Sequence, residues 1–153
     1  MREDLARTII AWRYEEPYAL YDMSADDLDE VMAGSYYAAM SAPGDLAGFF
    51  CVGPSAQVPG GHTAALYTGE DALDLGLGLR PDLTGQGLGC DFLRAGCDFA
   101  RQQFAPALLR LSVIAANTRA VHLYEAAGFE TGVRFMSTTP AGETQFRLMT
   151  RPT

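Results

Sequence analysis

Two groups of residues in this chain have the types and spacing that chemistry requires. The first is the glycine-rich stretch from Thr84 to Gly89, which lies between a strand pattern and a helical pattern. A turn of this kind places the free N–H groups and partial positive charge of a helix N-terminus beside glycines that leave the backbone accessible. Such a site binds anions, phosphates above all. The stretch therefore predicts a pyrophosphate site.

The second group is Asn117, Tyr124 and Asp74, of which the tyrosine and the aspartate are able to take part in acid–base chemistry. Asn117 and Tyr124 are seven positions apart, about two helical turns, and therefore share one face of a predicted helix. Asp74 is the sole acid inside the strand that precedes the glycine-rich stretch. Phenol and carboxyl groups are both common proton donors or acceptors in catalysis.

Two nucleotide-binding motifs are also rich in glycine and are alternatives for this stretch. A P-loop needs a lysine and a hydroxyl residue after its last glycine, where this chain has Cys90 and Asp91, so that interpretation fails. A dinucleotide fingerprint fits Gly85 and Gly87, but its third small residue falls on Cys90. The fingerprint is therefore incomplete, and a nucleotide-binding α/β domain is kept as an alternative.

The elements around the glycine-rich stretch form a βαβ unit. Leucines at 73, 75, 77 and 79 alternate with other residues and predict a strand, which Pro81 ends. Helical spacing follows as far as Phe104, and Leu108–Ala115 predicts the next strand. A strand, crossover helix and strand predict two parallel, neighbouring strands.

The remaining elements complete a single α+β, or mixed α/β, domain over residues 1–153. Its sheet is expected to be antiparallel at its start and parallel in the middle, with helices on its faces. The pattern predicts strands at Arg7–Arg13, Ser35–Met40 and Leu46–Val52, a helix from Ser24 to Gly34, a long loop at Gly53–Asp71, a helix from Asn117 or Thr118 to Ala127, and a final hairpin at Glu130–Met136 and Glu143–Thr150.

Composition excludes several classes of function. A net charge of −8 argues against nucleic acid and anionic membrane partners. The chain has three cysteines without paired spacing, which indicate neither disulfides nor a zinc site, and we expect no metal. No signal peptide or membrane-spanning run is evident, so we expect a cytoplasmic protein.

Two motifs resemble the GNAT superfamily of N-acetyltransferases. Thr84-Gly85-Gln86-Gly87-Leu88-Gly89 resembles motif A, Q/R-x-x-G-x-G/A, and departs from it only at Thr84. The segment from Asn117 to Phe129 resembles motif B, N-x-x-A-x-x-x-Y-x-x-x-G-F, with Asn117, Ala120, Tyr124, Gly128 and Phe129 in the matching positions. Together the motifs and the order of elements cover about Ser35 to Gly132.

The resemblance implies an acetyl-CoA-dependent enzyme. The backbone of Leu77–Leu79 is expected to part from the next strand and bind the pantetheine arm, and Asn117 to contact the cofactor. Tyr124 is expected to be the general acid and Asp74 the general base, with Glu70 and Asp71 as alternatives. The expected cofactor residues are Leu77, Gly78, Leu79, Thr84, Gly85, Gln86, Gly87, Leu88, Gly89, Cys90 and Asn117.

Each assignment has a structural alternative. Gly76 and Gly78 could mark a bulge, Asn117 could cap a helix, Tyr124 could be a core residue and Asp74 a surface residue. A cluster of aromatic residues near the N-terminus could either line an acceptor pocket or pack in the core. It consists of Trp12, Tyr14, Tyr18 and Tyr21.

The function implied by the resemblance is acetyl transfer to a primary amine by direct attack in a ternary complex. The acceptor is expected to be a small-molecule amine or a peptide N-terminus, and the protein a monomer or homodimer. The alternative is a non-catalytic CoA-binding module of the same fold.

Overall fold

The computed structural model describes residues 1–153 and is built on a six-stranded sheet. Its strands are β1 (Tyr36–Met40), β2 (Leu46–Val52), β3 (Ala72–Leu79), β4 (Leu108–Ile114), β5 (Glu130–Thr139) and β6 (Gly142–Pro152). Their order across the sheet is β1-β2-β3-β4-β6-β5. Only β3 and β4 are parallel neighbours; the other pairs are antiparallel. The predicted mixed fold and its central βαβ unit are confirmed.

Helices cover both faces of the sheet. They are α1 (Glu3–Ile10), α2 (Leu28–Met32), α3 (Pro59–Thr63), α4 (Gly89–Phe104) and α5 (Thr118–Ala126). Successive residues of a strand point to opposite faces. Phe50 therefore packs in the core under α4 and α5, and Phe49 in the core under α1 and α2. The two cores fix both helical layers against the strands that carry the predicted site.

The strand predicted at Arg7–Arg13 is wrong, because Glu3–Ile10 forms helix α1. Its β-branched residues favour a strand locally, but Ala6, Ile9 and Ile10 are buried at helical spacing. Arg7 pairs with Glu3 at 2.6 Å on the exposed side of the helix. Packing of one helical face has overridden the local β preference.

The loop predicted at Gly53–Asp71 is also partly wrong. It contains a 3₁₀ turn at Gly53–Ala56 and the short helix α3. The predicted N-cap at Ser24 is confirmed, since its hydroxyl accepts from the Asp26 N–H at 3.2 Å. The final hairpin is longer than predicted and joins β5 to β6.

Candidate active site

The two parallel strands separate partway along their length. β3 pairs with β4 only from Ala72 to Asp74, opposite Leu108 to Arg110. From Leu75 to Leu79, β3 keeps its pairing with β2 on its other side. The edge of residues 75–79 that faces β4 therefore has no strand partner. A cavity of about 680 Å³ is lined by both strands and by α5.

The glycine-rich turn presents unpaired backbone N–H groups at this cavity. Gly85 and Gly87 have φ of +73° and +78°, which residues with a Cβ rarely adopt. Helix α4 begins at Gly89, and no backbone N–H of residues 85–91 donates to a protein acceptor. Unpaired N–H groups at a helix N-terminus are a ready site for phosphate.

Most of the predicted cofactor residues face the cavity, and two do not. The lining includes Leu77, Gly78, Leu79, Thr84, Gly85, Gly87, Gly89, Cys90 and Asn117. Gln86 and Leu88 lie outside it; the Gln86 side chain donates to the Asp82 carbonyl at 2.5 Å. The Thr84 hydroxyl donates to the Pro81 carbonyl at 2.7 Å. At the position where motif A has Gln or Arg, this chain therefore has a threonine whose hydroxyl is bonded within the turn.

The strand glycines are explained by packing from β2. A Cβ on Gly78 would lie 2.3 Å from the Phe49 ring, and one on Gly76 would lie 2.5 Å from the Cys51 sulfur. The register between β2 and β3 runs without a shift. The bulge considered for these glycines is therefore absent, and their lack of a side chain allows Phe49 and Cys51 to cover the strand.

Asn117 is the N-cap of α5, as its alternative reading predicted. Its side-chain oxygen accepts from the Ala120 N–H at 3.1 Å. The amide nitrogen of the same side chain donates to the Tyr21 hydroxyl at 3.0 Å. Asn117 also lines the cavity, so capping leaves it beside the space a cofactor would fill.

Tyr124 lines the same cavity from α5. Its ring packs 6.1 Å from that of Phe129, and no hydrogen bond within the protein engages its hydroxyl. Burial raises the pKa of Tyr124, and the nearby Tyr21 and Cys97 side chains raise it further. The phenol is therefore protonated at neutral pH and free to donate.

Asp74 is neither a surface residue nor a cavity-lining one. It is 3% exposed, and its carboxylate accepts from Arg110 Nε at 2.5 Å and Arg110 Nη2 at 2.8 Å. Gln57 donates to the same carboxylate at 2.6 Å. Hydrogen bonding to Asp74 raises the pKa of the Arg110 guanidinium. Because Arg110 and Gln57 occupy the carboxylate, Asp74 is not placed to contact an amine in the cavity directly. The role of Asp74 as general base stays a prediction.

The two alternative bases are also away from the cavity. Glu70 and Asp71 are exposed in the segment before β3, and neither lines the cavity. Of the two histidines, His122 lines it and His62 packs against Tyr67.

The predicted aromatic group divides between the cavity and the core. Trp12 packs on Phe49 in the core, whereas the three tyrosines line the cavity. The Tyr14 hydroxyl donates to the Leu79 carbonyl at 2.9 Å. The Tyr21 hydroxyl accepts from the Asn117 side-chain amide. The segment from Tyr14 to Tyr21 therefore spans the cleft from the end of β3 to the start of α5.

Arg119 is a cavity residue that the sequence reasoning missed. Its guanidinium lies 4.6 Å from the centre of the Tyr18 ring, and one of its nitrogens would be 3.9 Å from a Cβ on Gly85. It makes no ion pair with a carboxylate. A basic residue in the first turn of a helix opposes the helix dipole, and that unfavourable placement was the signal available in the sequence.

A mixed sheet that opens between its parallel strands, beside a turn with unpaired backbone N–H groups, is the arrangement expected of the acyl-CoA-dependent transferases that the motifs resemble. The sequence profile of the Acetyltransferase (GNAT) family matches residues 3–129. The chain belongs to that family, whose members transfer an acetyl group from acetyl-CoA.

Several solved structures share the fold. One is a chimera of the Vibrio cholerae spermidine N-acetyltransferase SpeG with hSSAT, which is 17% identical, covers 99% of this chain and 92% of that chain, and gives a TM-score of 0.74. A dodecameric structure of the Vibrio cholerae enzyme is 17% identical, covers 99% of this chain and 90% of that one, and gives a TM-score of 0.67. At these identities the likeness concerns the fold.

A search of curated proteins found no match. Among the helices, none is both long enough and apolar enough to cross a membrane.

Proposed function

We propose that this chain transfers the acetyl group of acetyl-CoA to the primary amine of a small molecule, by direct attack in a ternary complex. The observation that supports the proposal most is the continuity of one cavity. It is lined by the glycine-rich turn, by the unpaired edge of β3 and by Tyr124. A phosphate site, a site for an amide-bearing arm and a proton donor therefore face the same space.

In this proposal the backbone binds most of the cofactor. The N–H groups of residues 85–91 hold the pyrophosphate, and the Arg119 guanidinium offsets part of its negative charge. The open edge of Leu77–Leu79 exchanges hydrogen bonds with the pantetheine amides. Asn117 caps α5 and thereby fixes the first turn that carries Arg119.

Tyr124 acts as the general acid. The neutral amine nitrogen bonds to the thioester carbonyl carbon, the carbon–sulfur bond breaks, and the departing sulfur takes the phenolic proton. The amine nitrogen loses its extra proton to water, and water returns one to the phenolate. Burial raises the pKa of Tyr124, so the phenol keeps its proton until the thiolate departs.

The contacts of Asp74 support a positioning role better than a direct proton transfer. Arg110, which it holds, also donates to the Thr68 carbonyl at 2.9 Å and the Leu66 carbonyl at 3.2 Å. Gln57, which it also holds, lines the cavity. We propose that this carboxylate fixes the segment between β2 and β3 against the base of the cleft.

Acetyl-CoA binding and turnover test the proposal separately. We expect acetyl-CoA to raise the melting temperature, with no shift from NAD or ATP, and an amine library to release CoA thiol. Binding without thiol release from any amine would favour the non-catalytic alternative, and the absence of a shift would refute the cofactor assignment.

A matched pair of glycine variants localises the effect. Gly87 and Gly44 both have positive φ and open space around them, at +78° and +94° respectively. Alanine strains the backbone at either position. We expect Gly87→Ala to abolish most of the acetyl-CoA shift and Gly44→Ala to retain it. Equal shifts would place the phosphate site elsewhere.

A further inference from the structure

The cavity has an uncharged wall on the face of the sheet that α1 and α2 cover. We name it the acceptor wall, and it consists of Met23, Tyr36, Phe49, Cys51 and Ala56. Burial raises the pKa of the Cys51 thiol to about 12 and also raises that of the Tyr36 phenol, so both are neutral at physiological pH. The acceptor wall is therefore apolar or aromatic throughout.

No Asp or Glu side chain lines the cavity at any point. Three carboxylates bond to cavity-lining residues without lining the cavity themselves. Asp22 accepts from the Tyr14 N–H at 2.8 Å, and Glu30 accepts from the Tyr36 hydroxyl at 3.5 Å. Asp74 accepts from Gln57 and is paired with Arg110. The one side chain in the lining that is permanently charged is the cation Arg119.

We infer that the acceptor is a small primary amine with a single amino group and an apolar body. The inference rests on the proposed function. The attacking amine reacts in its neutral form, and an apolar wall favours that form because desolvation disfavours the ammonium. A second or third ammonium group would lose its hydration on entering the cavity and find no carboxylate there to pair with. A buried unpaired charge is costly. The cavity thus selects against polyamines, although spermidine is named for the enzymes that share the fold.

Matched pairs of amines test this directly on the wild-type protein. Hexylamine and 1,6-diaminohexane have the same chain length and differ by one amino group, and spermidine adds a third. We expect kcat/KM for hexylamine to exceed that for either polyamine by about tenfold or more. Equal or higher kcat/KM for 1,6-diaminohexane or spermidine would overturn the inference.

The same experiment separates this inference from the proposed function. Acetyl-CoA stabilisation with efficient turnover of spermidine would leave the function standing and refute the acceptor class. Acetyl-CoA stabilisation with no turnover of any of these amines would refute the acceptor class as well. Without any acetyl-CoA stabilisation, the function fails and the inference fails with it.

A carboxylate added to the acceptor wall should reverse the preference. Met23 is half-buried in the wall, and Met32 is 39% exposed on α2 outside the cavity. We expect Met23→Glu to raise the ratio of kcat/KM for 1,6-diaminohexane over hexylamine by about tenfold, and Met32→Glu to leave it unchanged. An unchanged ratio in folded Met23→Glu, with its fold checked by circular dichroism, would refute the position of the wall. If that variant does not fold, the wild-type comparison decides.

Discussion

Replacing Tyr124 with phenylalanine removes one hydroxyl and keeps the ring in place. Because that hydroxyl makes no hydrogen bond within the protein, its loss leaves no partner unsatisfied. We expect the free energy of unfolding to change by at most about 0.5 kcal/mol. A positioned general acid contributes about 10²- to 10⁴-fold, and a thiolate leaves readily, so we expect kcat to fall by about 100-fold. The KM for acetyl-CoA should stay within about twofold, since the lost interaction forms only as the thiolate departs.

Continuous detection of CoA thiol at saturating amine measures this effect. Tyr37→Phe is the matched control, because the half-buried Tyr37 packs against Phe99 at 4.7 Å in the same core but lies outside the cavity. Its kcat should match the wild-type value. If Tyr124→Phe keeps kcat within about threefold of wild type, the assignment of the general acid is refuted. Equal losses in the two variants would assign the effect to packing.

The pH profile gives an independent check on Tyr124. Burial raises its pKa above the value of about 10 for a free phenol, so the proton donor persists through neutral and mildly alkaline pH. Its deprotonation can lower the rate only above that value. A wild-type decline centred below about pH 9 that disappears in Tyr124→Phe would contradict this reasoning.

Two further predictions concern charged residues. Arg119→Gln should raise the KM for acetyl-CoA about fivefold with kcat unchanged. The control Arg94→Gln loses only an exposed pair with Asp91 and should behave as wild type. An unchanged KM in Arg119→Gln would show that Arg119 is not part of the proposed phosphate site. Asp74→Asn should lower the free energy of unfolding, measured in urea, by about 3–5 kcal/mol, because the substitution leaves buried Arg110 without its counter-charge. The control Asp82→Asn removes an exposed pair with Arg80 and should change the free energy of unfolding little. If the Asp74→Asn rate is lower and recovers as pH rises, Asp74 is the base after all.

The sequence predicted those parts of the fold in which local pattern and packing agree. Strand β2 begins and ends where predicted, since turn residues bound Leu46–Val52 on both sides. The turn conformation at residues 84–89 was predictable because glycine at 85 and 87 serves a backbone conformation that few other residues adopt. Helix α1 was not predictable in this way, because its burial at Ala6 and Ile9 depends on partners from β2 and α2.

Side-chain roles at the site depend on distant partners and were harder to predict. Arg119 reaches the glycine-rich turn only because α5 returns beside the start of α4, where Leu123 would lie 3.1 Å from a Cβ on Gly89. The pattern of Asp74 within its strand could not show that Arg110 is its neighbour, because that contact depends on the register of two parallel strands.

The position of the Asp74–Arg110 pair explains where the cleft begins. These two residues are partners at the last position at which β3 and β4 still pair. Each needs the other, since a buried charge without its counter-charge is costly. Their contact therefore holds the strands together at this position, while beyond it Leu75 and Leu111 lie on separate walls of the cavity. The acid that the sequence suggests as a catalyst thus lies at the closed end of the cleft in which acetyl transfer is proposed.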